Sequence, residues 1–178
     1  MKKDLLLIVV TVFVLALLIS GVKIQSTEEY YNEHLDDITE GSATVYVSID
    51  CGCALNQYES LPDNVRKNLP YDGVILPELQ VKLRDGDTVY SVLSRVAKVY
   101  RIQLDVAFSE YGDHVYVKGV NNLYERDVGD LSGWRYSVNG DYPRESCGEF
   151  RLSDGDVIKW IYECGSGSDS AFFFGGAK

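Results

Sequence analysis

Residues suited to chemistry are few in this chain and widely spread. Its candidate nucleophiles, bases and soft metal ligands are Cys51, Cys53, Cys147, Cys164, His34 and His114. Nucleophilic catalysis needs a serine or cysteine beside a base that a third group orients. Neither histidine has such company: His34 stands in a polar, acidic stretch, and Asp113-His114-Val115-Tyr116 reads as the entry to a strand. The sequence contains no phosphate-cradling loop. Its paired carboxylates sit in two triplets, Asp85-Gly86-Asp87 and Asp154-Gly155-Asp156. Carboxylates ahead of a helix or strand usually accept from backbone N–H groups, so Asp85, Asp87, Asp154 and Asp156 are expected to build turns. Calcium ligation is the alternative, without EF-hand spacing. The expectation is a chain that is not an enzyme and requires no cofactor or metal.

Two other groups of residues are better placed to act. The cysteines are even in number, which in an exported domain favours disulfides. A zinc site from all four thiolates is the sharper alternative, although Cys51-Gly52-Cys53 is tighter than the usual pair with two intervening residues. A redox pair would need a helix start that the spacing does not supply. Trp134 and Tyr136 alternate on one strand and share a face. With Asn139 and Tyr142 they form the candidate ligand-binding surface, able to stack on a flat ring, a sugar or a partner strand. The alternative for the tryptophans is the core. That is the favoured reading for Trp160, whereas Trp134 stays open. The thirteen tyrosines mostly reflect strand content.

These residues need elements to hold them. Thr44 to Asp50 alternates cleanly and predicts a half-buried strand. A long polar connection with Pro62, Pro70 and Gly73 follows, in which one helical turn is expected. Leu79, Val81 and Leu83 predict a second strand. Asp87 or Thr88 can cap a helix over 88–100, where Val89, Val92, Leu93, Val96, Ala97 and Tyr100 keep helical spacing. Strands are expected over 103–108, 114–120, 134–138 and 157–163. Asn139-Gly140 supplies the positive-φ pair of a tight hairpin. One helix among several strands predicts an α+β fold, a β-grasp-like mixed sheet with one packed helix.

The ends read differently. Lys2 and Lys3 precede a charge-free run over residues 5–22. That is the lower limit for a spanning helix. Only Lys23 follows closely, with Glu28 and Glu29 behind it, so the bulk of the chain is expected outside the cytoplasm. Residues 1–22 are read as a single-pass membrane anchor, or as a cleaved signal that releases a secreted domain. Residues 23–42 read as an acidic stalk, and 165–178 as a flexible Gly/Ser tail carrying Phe172-Phe173-Phe174. The formal net charge of −10 argues against nucleic acid as a partner.

Gly133-Trp134-Arg135-Tyr136-Ser137-Val138-Asn139-Gly140, Tyr142-Pro143 and the run from Leu152 to Trp160 through Asp154-Gly155-Asp156 resemble the transcobalamin C-terminal-like domain, also catalogued as a domain of unknown function in bacterial surface proteins. Leu83 to Val89 and Gly119 to Leu123 fit the same pattern, so the resemblance covers about 43–164. It implies a β-grasp-like (ubiquitin-like) fold and a binding role. In the vertebrate cobalamin carriers a related β domain covers one face of the corrinoid and a helical barrel the other. This chain has no counterpart of that barrel within its 178 residues. If the fold is β-grasp, the first and last strands are parallel neighbours. That implies a bridge from Cys51 or Cys53 to Cys164, with Cys147 pairing with the cysteine left over. The resulting expectation is an extracytoplasmic, membrane-tethered module that captures cobalamin or another corrinoid, or else a structural or adhesive surface domain that binds protein or glycan.

Overall fold

The computed structural model describes residues 3, 10, 11, 13, 38–110 and 114–165. The chain divides into two compact units, 1–37 and 38–178. In the first, Lys3, Val10, Thr11 and Phe13 are helical and exposed. Most of the apolar run 5–22, the stalk up to residue 37, His34 and the tail from residue 166 with its three phenylalanines lie outside the described residues. Among the described residues no helix is long and apolar enough to cross a membrane.

The second unit is a mixed α+β domain. Its strands are β1 (Thr44–Asp50), β2 (Val74–Lys82), β3 (Leu104–Phe108), β4 (Val115–Val120), β5 (Leu123–Tyr124), β6 (Ser132–Val138) and β7 (Val157–Cys164). One sheet has the order β2-β1-β7-β6 and a smaller one the order β3-β4-β5. β1 and β7 are parallel neighbours, and every other pairing is antiparallel. The alternation of β1 sends Val45, Val47 and Ile49 to complete burial. Ile158, Trp160 and Tyr162 of β7 lie in the same core.

The polar connection after β1 is more structured than its composition predicts. It forms α1 (Gly52–Leu55), a 3-10 turn (Tyr58–Ser60) and α2 (Asp63–Arg66). Each turn has too few residues for a periodic apolar stripe, yet Ala54, Leu61 and Val65 are buried. β2 begins at Val74, well before the predicted alternation. Pro77 hides this start, because proline cannot donate to a ladder. It is tolerated here because β2 is a sheet edge, and because the register slips between Val47↔Leu79 and Ile49↔Leu76.

The single long helix, α3 (Val89–Tyr100), has its cap at Thr88, whose side chain accepts from Ser91 N–H while Ser91 Oγ accepts from Thr88 N–H. That reciprocal box satisfies two otherwise open donors. Val89, Val92, Leu93 and Val96 join the sheet residues in one core. Burying each such side chain contributes roughly 1.5–3 kcal/mol.

Candidate ligand-binding groove

β6 and β7 pair from Ser132↔Cys164 to Val138↔Ile158. Trp134 and Tyr136 face inward from β6, with 6% and 8% of their surface exposed. Trp134 Nε1 donates to Leu123 O at 2.8 Å, and Tyr136 Oη donates to Glu145 O at 2.8 Å. The Tyr136 ring lies 5.5 Å from Trp160, and the Trp134 ring lies 5.2 Å from Tyr162. Burial first, then the neighbouring Cys147 thiol and the Glu145 and Glu149 carboxylates, push the Tyr136 hydroxyl pKa upward, so it stays a neutral donor. Trp160 is buried as expected, and its Nε1 has no hydrogen-bond partner among the described residues.

The other two expected surface residues differ in role. Asn139, with φ 54°, is the first residue of the tight turn, and Gly140 follows at φ 87°. Its Nδ2 donates to Asp156 Oδ1 at 2.8 Å, and its Oδ1 accepts from Val157 N–H at 2.9 Å. Both polar atoms are thus committed to joining the turn to β7. Tyr142 is exposed, and the Arg135 guanidinium lies 4.1 Å from its ring centroid. Arg135 also sits 3.3 Å from Glu163.

A groove of about 650 Å³ runs between β6, the start of β4 and residues 142–147. Trp134, Tyr136 and Tyr142 line it together with Val115, Val117 and Cys147, and Asn139 does not. The volume falls within the range of ~300–1,000 Å³ typical of ligand pockets. Three of the four residues singled out from sequence therefore share one concavity. The opposite wall had no sequence signal, because Val115 and Val117 read as ordinary strand positions. It is held by Ser146, whose Oγ accepts from Val115 N–H at 2.7 Å.

The carboxylate triplets serve as turns. Asp154 Oδ1 accepts from Thr44 N–H at 2.7 Å, Asp156 Oδ2 from Ser153 N–H at 2.8 Å and Asp87 Oδ2 from Arg84 N–H at 2.9 Å. His114 Nδ1 lies 3.5 Å from Glu149 on the surface. Among the described residues, no three His, Cys, Asp or Glu side chains are grouped to hold a metal.

Cys53 and Cys164 form a disulfide, with Cα atoms 6.0 Å apart. The pairing of Cys147 with the remaining cysteine does not occur, because Cys51 and Cys147 are buried free thiols. Cys51 follows β1 of the larger sheet, whereas Cys147 lies against Val115 at the start of β4, its thiol donating to Val115 O at 3.4 Å. The disulfide also removes the four-thiolate zinc alternative. A helical turn does start beside the Cys-Gly-Cys run, with Cys51 as N-cap of α1, contrary to the sequence reading. Burial pushes both free thiols up to about 12, with Asp50 and Asp72 adding to the effect at Cys51. A thiol held neutral in this way is a poor nucleophile.

The second unit is a mixed α+β domain with one long helix, α3, and a groove at the β6 edge. Residues 86–164 match the family model of the domain of unknown function DUF4430. This bears out the resemblance to the transcobalamin C-terminal-like domain over the part of the chain that carries β6, β7 and the groove. No curated protein matches the chain. Among solved structures, a protein from Ruminococcus gnavus ATCC 29149, named as a candidate metal binding protein, is similar at 16% identity and a TM-score of 0.43. That alignment covers 68% of this chain and 96% of the other. Haptocorrin in complex with Cbi is similar at 12% identity and a TM-score of 0.48, over 71% of this chain and 26% of haptocorrin.

Proposed function

We propose that this chain is an extracytoplasmic, membrane-tethered ligand-binding module, not an enzyme, which takes its ligand in the groove between β4 and β6. The observation that carries this reading is the meeting of Trp134, Tyr136 and Tyr142 on one concavity of about 650 Å³. The parallel β1–β7 pair inside β2-β1-β7-β6, together with a single long helix, supports a β-grasp-like architecture. The charge-free run behind Lys2 and Lys3 supports the tether, with the domain outside the cell. A corrinoid is the candidate ligand, since aromatic faces and an exposed tyrosine can stack on a flat macrocycle.

The test is titration of the oxidised full-length chain with cobinamide and cobalamin, followed by tryptophan fluorescence and calorimetry. Saturable binding at roughly micromolar Kd is expected. Tyr142→Ala should weaken it about tenfold without unfolding, because Tyr142 is exposed while Trp134 also anchors the core. No binding up to roughly millimolar ligand would remove the corrinoid. A second reading, a surface domain that binds protein, is favoured by one observation: β6 is the edge strand of its sheet.

A further inference from the structure

The groove opens where the hairpin stops. The turn at Asn139-Gly140 pairs Val138 with Asp141, and the next partner in that register, residue 143, is a proline without an N–H to give. The chain crosses instead to the start of β4, where Ser146 Oγ accepts from Val115 N–H. Arg135 lies in the lining, but Glu163 and the Tyr142 ring already hold its guanidinium. What the groove offers an occupant is apolar and aromatic surface, with Tyr116 and Tyr142 of the lining still exposed.

The chain's own C-terminal segment starts beside this surface. β7 ends at Cys164, opposite Ser132 and so two residues before Trp134 on β6. Gly165 then lies against Leu131, an exposed apolar residue, and a Cβ at Gly165 would stand 3.0 Å from Leu131 Cβ. The residues Ser166-Gly167-Ser168-Asp169-Ser170-Ala171 separate Gly165 from Phe172-Phe173-Phe174. From the level of Leu131 to that of Tyr136 is about five residues along β6, or ~17 Å. A Gly/Ser linker of about seven residue steps has a root-mean-square reach of ~15 Å and a limit of ~23 Å. The tether therefore matches the span, which is the condition for the highest effective concentration, in the millimolar range. Each phenylalanine has ~150–250 Å² to bury, and the groove puts aromatic and aliphatic walls within that reach.

We propose that Phe172–Phe174 docks in the groove of its own chain and covers Trp134, Tyr136 and Tyr142 until a ligand displaces it. The docking rests on the tether and the lining. Its regulatory meaning rests on the ligand-binding reading of the groove, so the two need separate readouts. With the segment in place about nine-tenths of the time, the apparent affinity for a ligand falls about tenfold.

Both tryptophans of the chain, Trp134 and Trp160, line the groove, so tryptophan emission reports on it. Acrylamide quenching of the oxidised full-length chain is compared with that of the triple variant Phe172→Ala, Phe173→Ala, Phe174→Ala. Quenching at least about twofold greater in the triple variant is expected. Tyr142→Ala should raise quenching as well, and combining it with the triple variant should add nothing, because both remove one contact. A synthetic peptide of residues 168–176 at roughly millimolar concentration should restore the shielding of the triple variant. Dilution of the unmutated chain by about tenfold should leave its quenching unchanged, as an intramolecular contact requires. Equal quenching with and without the phenylalanines, additive effects with Tyr142→Ala, or a peptide that restores nothing would overturn the proposal. Shielding lost on dilution would overturn it in favour of a second copy as the occupant. Cobinamide gives the separate readout, with about tenfold tighter binding expected for the triple variant. Cobinamide binding of equal affinity to both chains would overturn the cover and keep the ligand-binding reading. Shielding by the segment with no cobinamide binding to either chain would keep the docking and remove the corrinoid.

Discussion

At the residue scale, the most committed polar side chain is Asp87. It accepts from Ser91 Oγ at 2.7 Å, Arg84 N–H at 2.9 Å and Arg95 Nη2 at 2.8 Å, and Arg95 reaches Lys82 O at 2.8 Å. Burial raises the Asp87 pKa, but hydrogen bonds from Arg95 and Ser91 outweigh it and hold the carboxyl below its usual 3.8. A carboxyl whose folded pKa is depressed stabilises the fold above its unfolded pKa and loses that contribution as pH falls towards the folded value. Asp87→Asn should therefore cost about 3 kcal/mol at neutral pH by leaving Arg95 buried without its partner. The gap to the unmutated chain should close as pH drops below about 4. Urea denaturation across a pH series checks both. Sequence identified Asp87 as turn chemistry because a carboxylate ahead of a helix is a local pattern. It did not reveal Arg95 as its partner, since that contact spans two turns of helix. Trp134 was legible only as an aromatic on an alternating strand. Which face became core depended on strands far away in the chain.

At the element scale, β1 and α3 stand where their periodicity placed them, because each buries one regular face. The two-residue strand β5 was beyond reach, and of the turns α1 and α2 only one was expected, since a period cannot be read from two to four residues. The connection carrying α1 closes by a backbone contact. A Cβ at Gly73, which has φ +76°, would stand 2.5 Å from Gly52 Cα. Gly155, at φ +83°, has nothing within 4 Å. Gly73→Ala should cost more than about 2 kcal/mol, and Gly155→Ala only about 1 kcal/mol, the conformational share alone. Denaturant midpoints of the two variants separate these contributions. The tight turn at Asn139-Gly140 was legible from its residue types. The length of the hairpin was not, although Pro143 two residues beyond Asp141 was the available clue.

At the scale of the whole molecule, the chain's first and last described strands are neighbours, and the Cys53–Cys164 bridge ties their ends across 111 residues of sequence. Restricting so long a loop in the unfolded chain contributes about 4–5 kcal/mol on the chain-entropy model. Reduction, or Cys53→Ser with Cys164→Ser, should lower stability by about that amount, seen as a drop in Tm, and reductant should then have no effect on the double variant. Thermal melts with and without reductant decide this. The sequence pointed to a bridge from one of the two early cysteines to Cys164 once a parallel first–last pair was assumed. It could not foresee that Cys51 and Cys147 remain apart, because Cys51 follows β1 while the turn carrying Cys147 packs on the start of β4.

The central position of β7 has a consequence for how the molecule is made. β1 packs between β2 and β7, and β7 between β1 and β6, so the strand that completes the larger sheet is the last of the seven to be synthesised. Until residues 157–164 emerge, β1 and β6 each lack a neighbour and Cys53 lacks its sulfur partner. The larger sheet therefore closes only once β7 is available, and a chain truncated before residue 157 leaves β1 and β6 without a shared neighbour.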